Sequence, residues 1–206
     1  DLDVVVACAN CHTSTPHKSA AVNQHTARVN CTVCHIQTFA RHKSTDMFRD
    51  FTESELDVVK RLYEPKITRE SDVVPEYRFF NGYSTFYQLG MAAVPGESGR
   101  VLMSGPLGSV QDAQAKISPF KHHQALQPYD RSTQAIIPLN MGIVFQKGDM
   151  PAAIVAGAAK LGWTLPLGYD FIPTERYMQI NHTVNPAENA LTCNDCHGGK
   201  KLLDFD

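Results

Sequence analysis

Cys31-Thr32-Val33-Cys34-His35 is one of three copies of a five-residue pattern in this chain. Cys8-Ala9-Asn10-Cys11-His12 precedes it and Cys193-Asn194-Asp195-Cys196-His197 closes the series. C-x-x-C-H is the signature of covalent haem attachment, in which two thiols bond the porphyrin and the adjacent imidazole takes an axial position on the iron. The three copies use all six cysteines of the 206-residue chain and leave none over. Zinc or disulfide readings account for the pattern less well. A zinc ribbon takes two C-x-x-C pairs per metal, so three pairs leave an orphan and the following histidines have no task. A thioredoxin-like C-x-x-C occurs once, near a βαβ pattern, and no such pattern is present.

Length and composition point to a single haem-bearing domain over 1–206. Its expected parts are a two-haem N-terminal block (1–45), a loop-rich insert (46–148) and a helical C-terminal block with the third haem (149–206). The expected fold class is mainly α with much irregular loop structure, a multihaem cytochrome c with the haems forming much of the core. A net charge of −2 without any Lys/Arg run speaks against a nucleic-acid or anionic-membrane partner. The apolar run 152–159 is too short for a membrane span. A chain starting Asp1-Leu2-Asp3 reads as a mature form with its signal peptide removed. Haem is attached to C-x-x-C-H outside the cytoplasm, so the expected location is the periplasm or the cell exterior.

Local signals place three helices. Thr52-Glu53-Ser54-Glu55 has the form of a capping box, with Leu56, Val59 and Leu62 at helical spacing and Pro65 as the stop. Asp149 as N-cap and Pro151 in the first turn open a second helix that Gly162 ends. Asn185-Pro186 opens a short third helix delivering Cys193, and Gly198-Gly199 terminate the last motif. The many Gly, Pro, Tyr and Ser residues of 66–148 suggest loops with at most two short strands.

The attachment thiols are Cys8, Cys11, Cys31, Cys34, Cys193 and Cys196, and the proximal ligands are His12, His35 and His197. The sixth ligand largely decides the chemistry: a second imidazole closes the iron for electron transfer, and an open position admits substrate. Six further histidines are available: His17, His25, His42, His122, His123 and His182. The methionines read as core filler. Tyr77, Tyr83, Tyr87 and Tyr177 are core residues by default, with porphyrin packing as the alternative.

Several segments resemble, in order, the C-terminal part of the octahaem tetrathionate reductase family of multihaem cytochromes. They are Thr15-Pro16-His17-Lys18, Asn23-Gln24-His25-Thr26 leading into Cys31–His35 and Ile36-Gln37-Thr38-Phe39, Pro75-Glu76-Tyr77-Arg78 and Asn81-Gly82-Tyr83. Pro119-Phe120-Lys121-His122-His123, Gln127-Pro128-Tyr129-Asp130, Thr174-Glu175-Arg176-Tyr177, Asn181-His182 and Pro186 with the last motif complete the series. The resemblance implies His17, His25, His123 and His182 as distal ligands and none at His42 or His122. It also implies that the upstream haems of that family, the catalytic one included, have no counterpart here.

Three functions are in play. The leading one is extracytoplasmic electron transfer through three bis-His c-type haems serving redox partner proteins, with no catalytic residues. A small multihaem reductase of sulfur or nitrogen oxyanions with one open haem is the alternative, in which Lys121 could approach an iron. In the third, the chain is a subunit of a polymeric haem wire. Four distal candidates for three haems leave one histidine over, and His17 or His25 could then be donated to a neighbouring copy. No paired carboxylates at catalytic spacing, Ser/His/Asp arrangement or phosphate loop is found.

Overall fold

A computed structural model of the chain describes residues 7–198 and Leu202. The start Asp1-Leu2-Asp3 and Gly199 lie outside the described residues. The architecture is a seven-stranded mixed sheet with short helices around it, not the mainly α fold expected from the sequence. In chain order the helices and strands are α1 (Ala20–His25), α2 (Cys31–His35), β1 (Thr45–Asp57), β2 (Leu62–Glu70), β3 (Glu76–Phe80), β4 (Ser84–Phe86), β5 (Val101–Pro106), β6 (Lys116–Asp130), α3 (Met141–Lys147), α4 (Met150–Lys160), β7 (Tyr169–Gln179) and α5 (Cys193–His197).

The sheet runs β2-β1-β6-β7-β5-β4, and β3 pairs with the first part of β6. β1 lies parallel to β6 and β5 parallel to β7, while the remaining pairings are antiparallel. β6 is the spine. Its fifteen residues pair with β3 over Lys116–Phe120, with β1 over Gln124–Leu126 and with β7 over Phe120–Asp130. The insert therefore supplies six of the seven strands, and the C-terminal block expected to be helical supplies the seventh, β7.

The helix expected after Thr52 is a hairpin, and local hydrogen bonds show why. Thr52 donates both its N–H and its hydroxyl to the Asp50 carboxylate, at 2.8 and 2.6 Å, so its oxygen caps no helix. Ser54 donates to the Gly148 carbonyl at 2.6 Å instead. Asp57 then accepts from the Val59 and Lys60 N–H groups, both at 3.0 Å, in a turn that Arg61 leaves at φ +54°. Asp residues of this kind offer the backbone an alternative to helix. Val59 sits at the hairpin tip, 89% exposed, so its helical spacing with Leu56 and Leu62 is coincidence.

The helix from Asp149 forms as expected: the Asp149 carboxylate accepts from the Ala152 N–H at 2.9 Å, Pro151 lies in the first turn and Gly162 follows at φ +74°. The helix expected from Asn185-Pro186 is a single 3-10 turn, Ala187–Asn189, ahead of α5. α3 and α4 bury Val144, Ala153, Ile154 and Ala158 against Phe51, Ala125 and Ile137 of the sheet side. Apolar side chains make the core of this layer. A further cluster of Ile36, Phe39 and Ile180 joins the N-terminal block to the end of β7.

At Gly157 α4 packs closely on the 138–139 backbone, and an added methyl group would run into the Pro138 carbonyl oxygen. Gly157→Ala is therefore expected to cost about 1–3 kcal/mol through overpacking, despite the better helix propensity of alanine. Thermal unfolding of the haem-loaded protein measures this, and an unchanged or raised Tm would contradict the contact.

Candidate functional site

The cysteine motifs lie on short turns with their own caps. Asn30 caps α2, its carboxamide oxygen accepting from the Thr32 N–H at 3.2 Å and the Thr32 hydroxyl at 3.0 Å. The Asn30 N–H donates to the Ile117 carbonyl at 2.9 Å, which fastens α2 to the start of β6. At α5 the Asp195 carboxylate accepts from the Thr192 N–H and hydroxyl, each at 2.8 Å. The first motif forms a 3-10 turn, Cys8–Asn10, with the Asn10 side chain accepting from the Ala7 N–H at 2.6 Å.

The N-terminal and C-terminal motifs converge although the sequence separates them widely. Asn185 donates its N–H to the His35 carbonyl at 2.7 Å, and Leu191 donates to the Cys34 carbonyl at 2.8 Å. Arg41 holds the same segment through the Asn185 side chain and, at 2.5 Å, the Thr183 carbonyl. The thiols report the result. Burial pushes Cys31 up, and the adjacent Cys8 thiol adds to it. Burial also raises Cys34, followed by the nearby Cys196, Cys31 and Cys193. Tyr77 on β3 is pushed up to about 12, chiefly by burial and then by the Cys196 and Cys34 thiols beside it.

The imidazoles carry the chemistry. His35 Nδ1 lies 3.0 Å from the Asn185 carbonyl and His25 Nδ1 lies 2.8 Å from the Ala21 carbonyl. A carbonyl only accepts, so Nδ1 holds the proton in both rings and Nε2 is left as a bare lone pair. His17 Nδ1 lies 3.1 Å from the Asn23 side-chain oxygen, whose orientation is set by its amide donating to the His17 carbonyl at 2.8 Å. A backbone or side-chain acceptor at the far nitrogen is how proteins orient imidazole ligands to a metal.

The rings also pair. The His17 and His35 centroids are 6.3 Å apart with planes 22° off parallel, and the His25 and His197 centroids are 6.0 Å apart with planes at 74°. A metal–imidazole bond is about 2 Å, and ring nitrogen to ring centre adds ~1 Å, so two rings on opposite sides of one ion sit about 6 Å apart. These four histidines fit the two axial positions of haem iron.

A family model for bacterial cytochrome c matches residues 57–200. The chain belongs to that family. Haem c, covalently bound through C-x-x-C-H, is the family's cofactor, and this chain with its repeated motifs is a c-type multihaem cytochrome. An octahaem cytochrome c from Shewanella oneidensis, known from its crystal structure, is similar over 93% of the chain at 32% identity, with a TM-score of 0.80. The chain spans 48% of that protein's length. No curated protein sequence matches this one.

Of the expected distal ligands, His17 and His25 are brought to motif histidines. His182 stands exposed on the loop before Asn185. His123 is buried within β6, its Nε2 3.9 Å from the Asp46 carboxylate. His42 is exposed. Lys121 is tied down, donating to the Thr45 hydroxyl at 2.6 Å. The orienting residues Asn23, Ala21 and Asn185 escaped sequence reading, because a backbone acceptor leaves no mark in residue type and Asn185 acts across the whole insert.

His122, expected to bind no iron, has another task. Its Nδ1 lies 2.5 Å from Glu76 and its Nε2 2.9 Å from Glu175, and its ring stacks on Tyr177 at 4.6 Å. Two carboxylates demand two N–H donors, so this ring is an imidazolium. The Glu76 hydrogen bond leads in raising its pKa, and His122 in turn leads in lowering that of Glu76. The His122 contribution to stability is complete below its unfolded pKa of about 6.5 and fades as pH rises through its raised folded value; the Glu76 contribution fades as pH falls below about 4.5. His122→Phe should therefore lower Tm more at pH about 5.5 than at pH about 9. Equal losses at both would disprove the assignment.

The ring pairs carry a separate prediction. Removing one imidazole of a pair opens that iron, so His17→Ala and His25→Ala should each turn one haem high-spin while leaving the others unchanged. Electron paramagnetic resonance of the oxidised protein reads this directly, and a purely low-spin spectrum in both variants would refute the pairs.

Proposed function

We propose that this chain is a three-haem electron-transfer module working outside the cytoplasm, with one haem on each of Cys8/Cys11, Cys31/Cys34 and Cys193/Cys196. The observation that carries it is the pairing of His17 with His35 and of His25 with His197 at centroid distances of 6.3 and 6.0 Å, with Nδ1 of His17, His25 and His35 already engaged. Two imidazoles fill both axial positions, which suits a carrier and excludes substrate from the metal. Bound haem supplies the one-electron couple; the protein sets spacing, potential and access to water.

The second motif stands between the other two. Cys31 neighbours Cys8, and Cys34 neighbours Cys193 and Cys196, so the attachment edges follow one another in the order first, second, third. Such an order supports transfer along the chain from one end to the other. On this reading His17 and His25 serve this chain's own motifs, and His123, buried in β6, serves none of them. In a wire of several copies the donated ligand would then be the exposed His182, not His17 or His25. His12 is the ring that no described imidazole stacks against. An oxyanion reductase, the second reading, would have its open position there.

Mass spectrometry under denaturing conditions should give the polypeptide plus three haems. The same preparation, chemically reduced, should hold its electrons in the presence of tetrathionate or nitrite until an acceptor protein or electrode is supplied. Another haem count would end the three-haem reading, and sustained turnover with either oxyanion would replace the carrier by the reductase.

A further inference from the structure

The face of β6 opposite His122 holds a cavity of about 150 Å³, lined by Arg49, Phe51, Met103, His123, Gln127 and Arg176 among others. His123 is 3% exposed, and its Nε2 has no hydrogen-bond partner among the described residues. The buried Nε of Arg176 has no acceptor either. A buried guanidinium N–H without an acceptor is costly, and such groups in native structures call for an explanation.

Cations outnumber carboxylates around them, although Asp46 lies 3.9 Å from both the Lys121 ammonium and the His123 imidazole. Arg49, Lys121 and Arg176 converge here, and Asp46 is already engaged by Arg49 at 2.7 and 2.5 Å. Glu175 also lines the cavity, but its two oxygens are taken by Ser98 at 2.7 Å and His122 at 2.9 Å. Among these cations the His123 imidazole, which always carries an N–H, can donate to an acceptor. Such a field repels a metal cation and attracts an anion.

We propose that this cavity binds one small oxyanion, held by Arg176, His123 and Arg49. Phe51 and Met103 close its apolar side, and the space suits an ion of a few heavy atoms, far smaller than a porphyrin. Two sources share the chemistry: a free inorganic oxyanion, or a propionate carboxylate reaching in from a bound haem. The proposal does not depend on the carrier reading, since the cavity uses none of the cysteine motifs.

Calorimetric titration of the haem-loaded protein with sodium sulfate and with sodium phosphate, against sodium chloride at equal ionic strength, tests it. A free-anion site gives saturable one-to-one binding of sulfate or phosphate, weakened at least about tenfold in both Arg176→Met and His123→Phe and unchanged in the exposed control Lys160→Met. A propionate site gives no such binding, but one haem potential falls in Arg176→Met, because a cation that stabilised the reduced state is gone, and does not move in Lys160→Met. The proposal is overturned if neither ion binds and the potentials of Arg176→Met match the parent. Binding that Arg176→Met leaves intact overturns it equally. The Arg176 Nε gives up no hydrogen bond in Arg176→Met, and differential scanning calorimetry checks that the variant folds.

Discussion

The reciprocal pair of hydrogen bonds between His35 and Asn185 is the joint on which this molecule turns. Asn185 donates its N–H to the His35 carbonyl and accepts the His35 ring proton on its own carbonyl. One contact thereby does two things. It docks the C-terminal segment, with Cys193 and Cys196, onto the N-terminal block, and it fixes the His35 ring, whose centroid lies 6.3 Å from that of His17. Each bond is worth about 1 kcal/mol net, so their value lies in geometry. A ligand ring that could rotate about its Cβ–Cγ bond would present either nitrogen; one tied at Nδ1 presents Nε2 alone.

The sheet serves that joint as a rigid frame. Surface ion pairs such as Lys66–Glu53 at 3.2 Å and Arg69–Glu64 at 3.1 Å hang on the β1–β2 hairpin and are largely solvated, so each contributes about 0–1 kcal/mol. Phe120, Ile137 and Ile154 are fully buried and contribute roughly 1.5–3 kcal/mol each. Burial outweighs the ion pairs. It is concentrated where α4 covers the sheet, while an isolated bridge between Val29 and Ile117 straps the start of β6 to the segment before α2.

What could be read from sequence follows from the range of the interactions involved. The C-x-x-C-H turns and the Asp149–Pro151 helix start are written in neighbouring residues, and they stand where the sequence places them. The sheet is not local. Pro119 and Pro128 argue against a central strand, since each removes a ladder donor, yet both are buried in β6 and their carbonyls are used, by Ile180 and Ile137 respectively. Thr52 and Glu55 match a capping box in type, but Asp50, two residues upstream, takes the Thr52 hydroxyl first. His17 and His25 as iron ligands came through family resemblance. No spacing rule leads from His17 to His35, because the loop between them is shaped by Asn23 and Asn30.

β6 also shows how one strand can keep two opposite electrostatic environments a single residue apart. Successive side chains point to opposite faces of a sheet, so His122 and His123 look into different cavities. On one face Glu76 and Glu175 hold His122 as a cation, stacked on Tyr177 beneath Arg78. On the other, burial and then Arg176, Lys121 and Arg49 disfavour the charged form of His123. The carboxylates and guanidinium groups could have neutralised one another across the sheet had Glu175 and Arg176 exchanged places on β7. They alternate in register with the histidines instead, Tyr177 opposite His122 and Arg176 opposite His123. Pairing is completed within the protein on the first face. On the second it is left short of negative charge, and that imbalance, kept at the cost of buried unsatisfied donors, is what gives the second face a ligand to find.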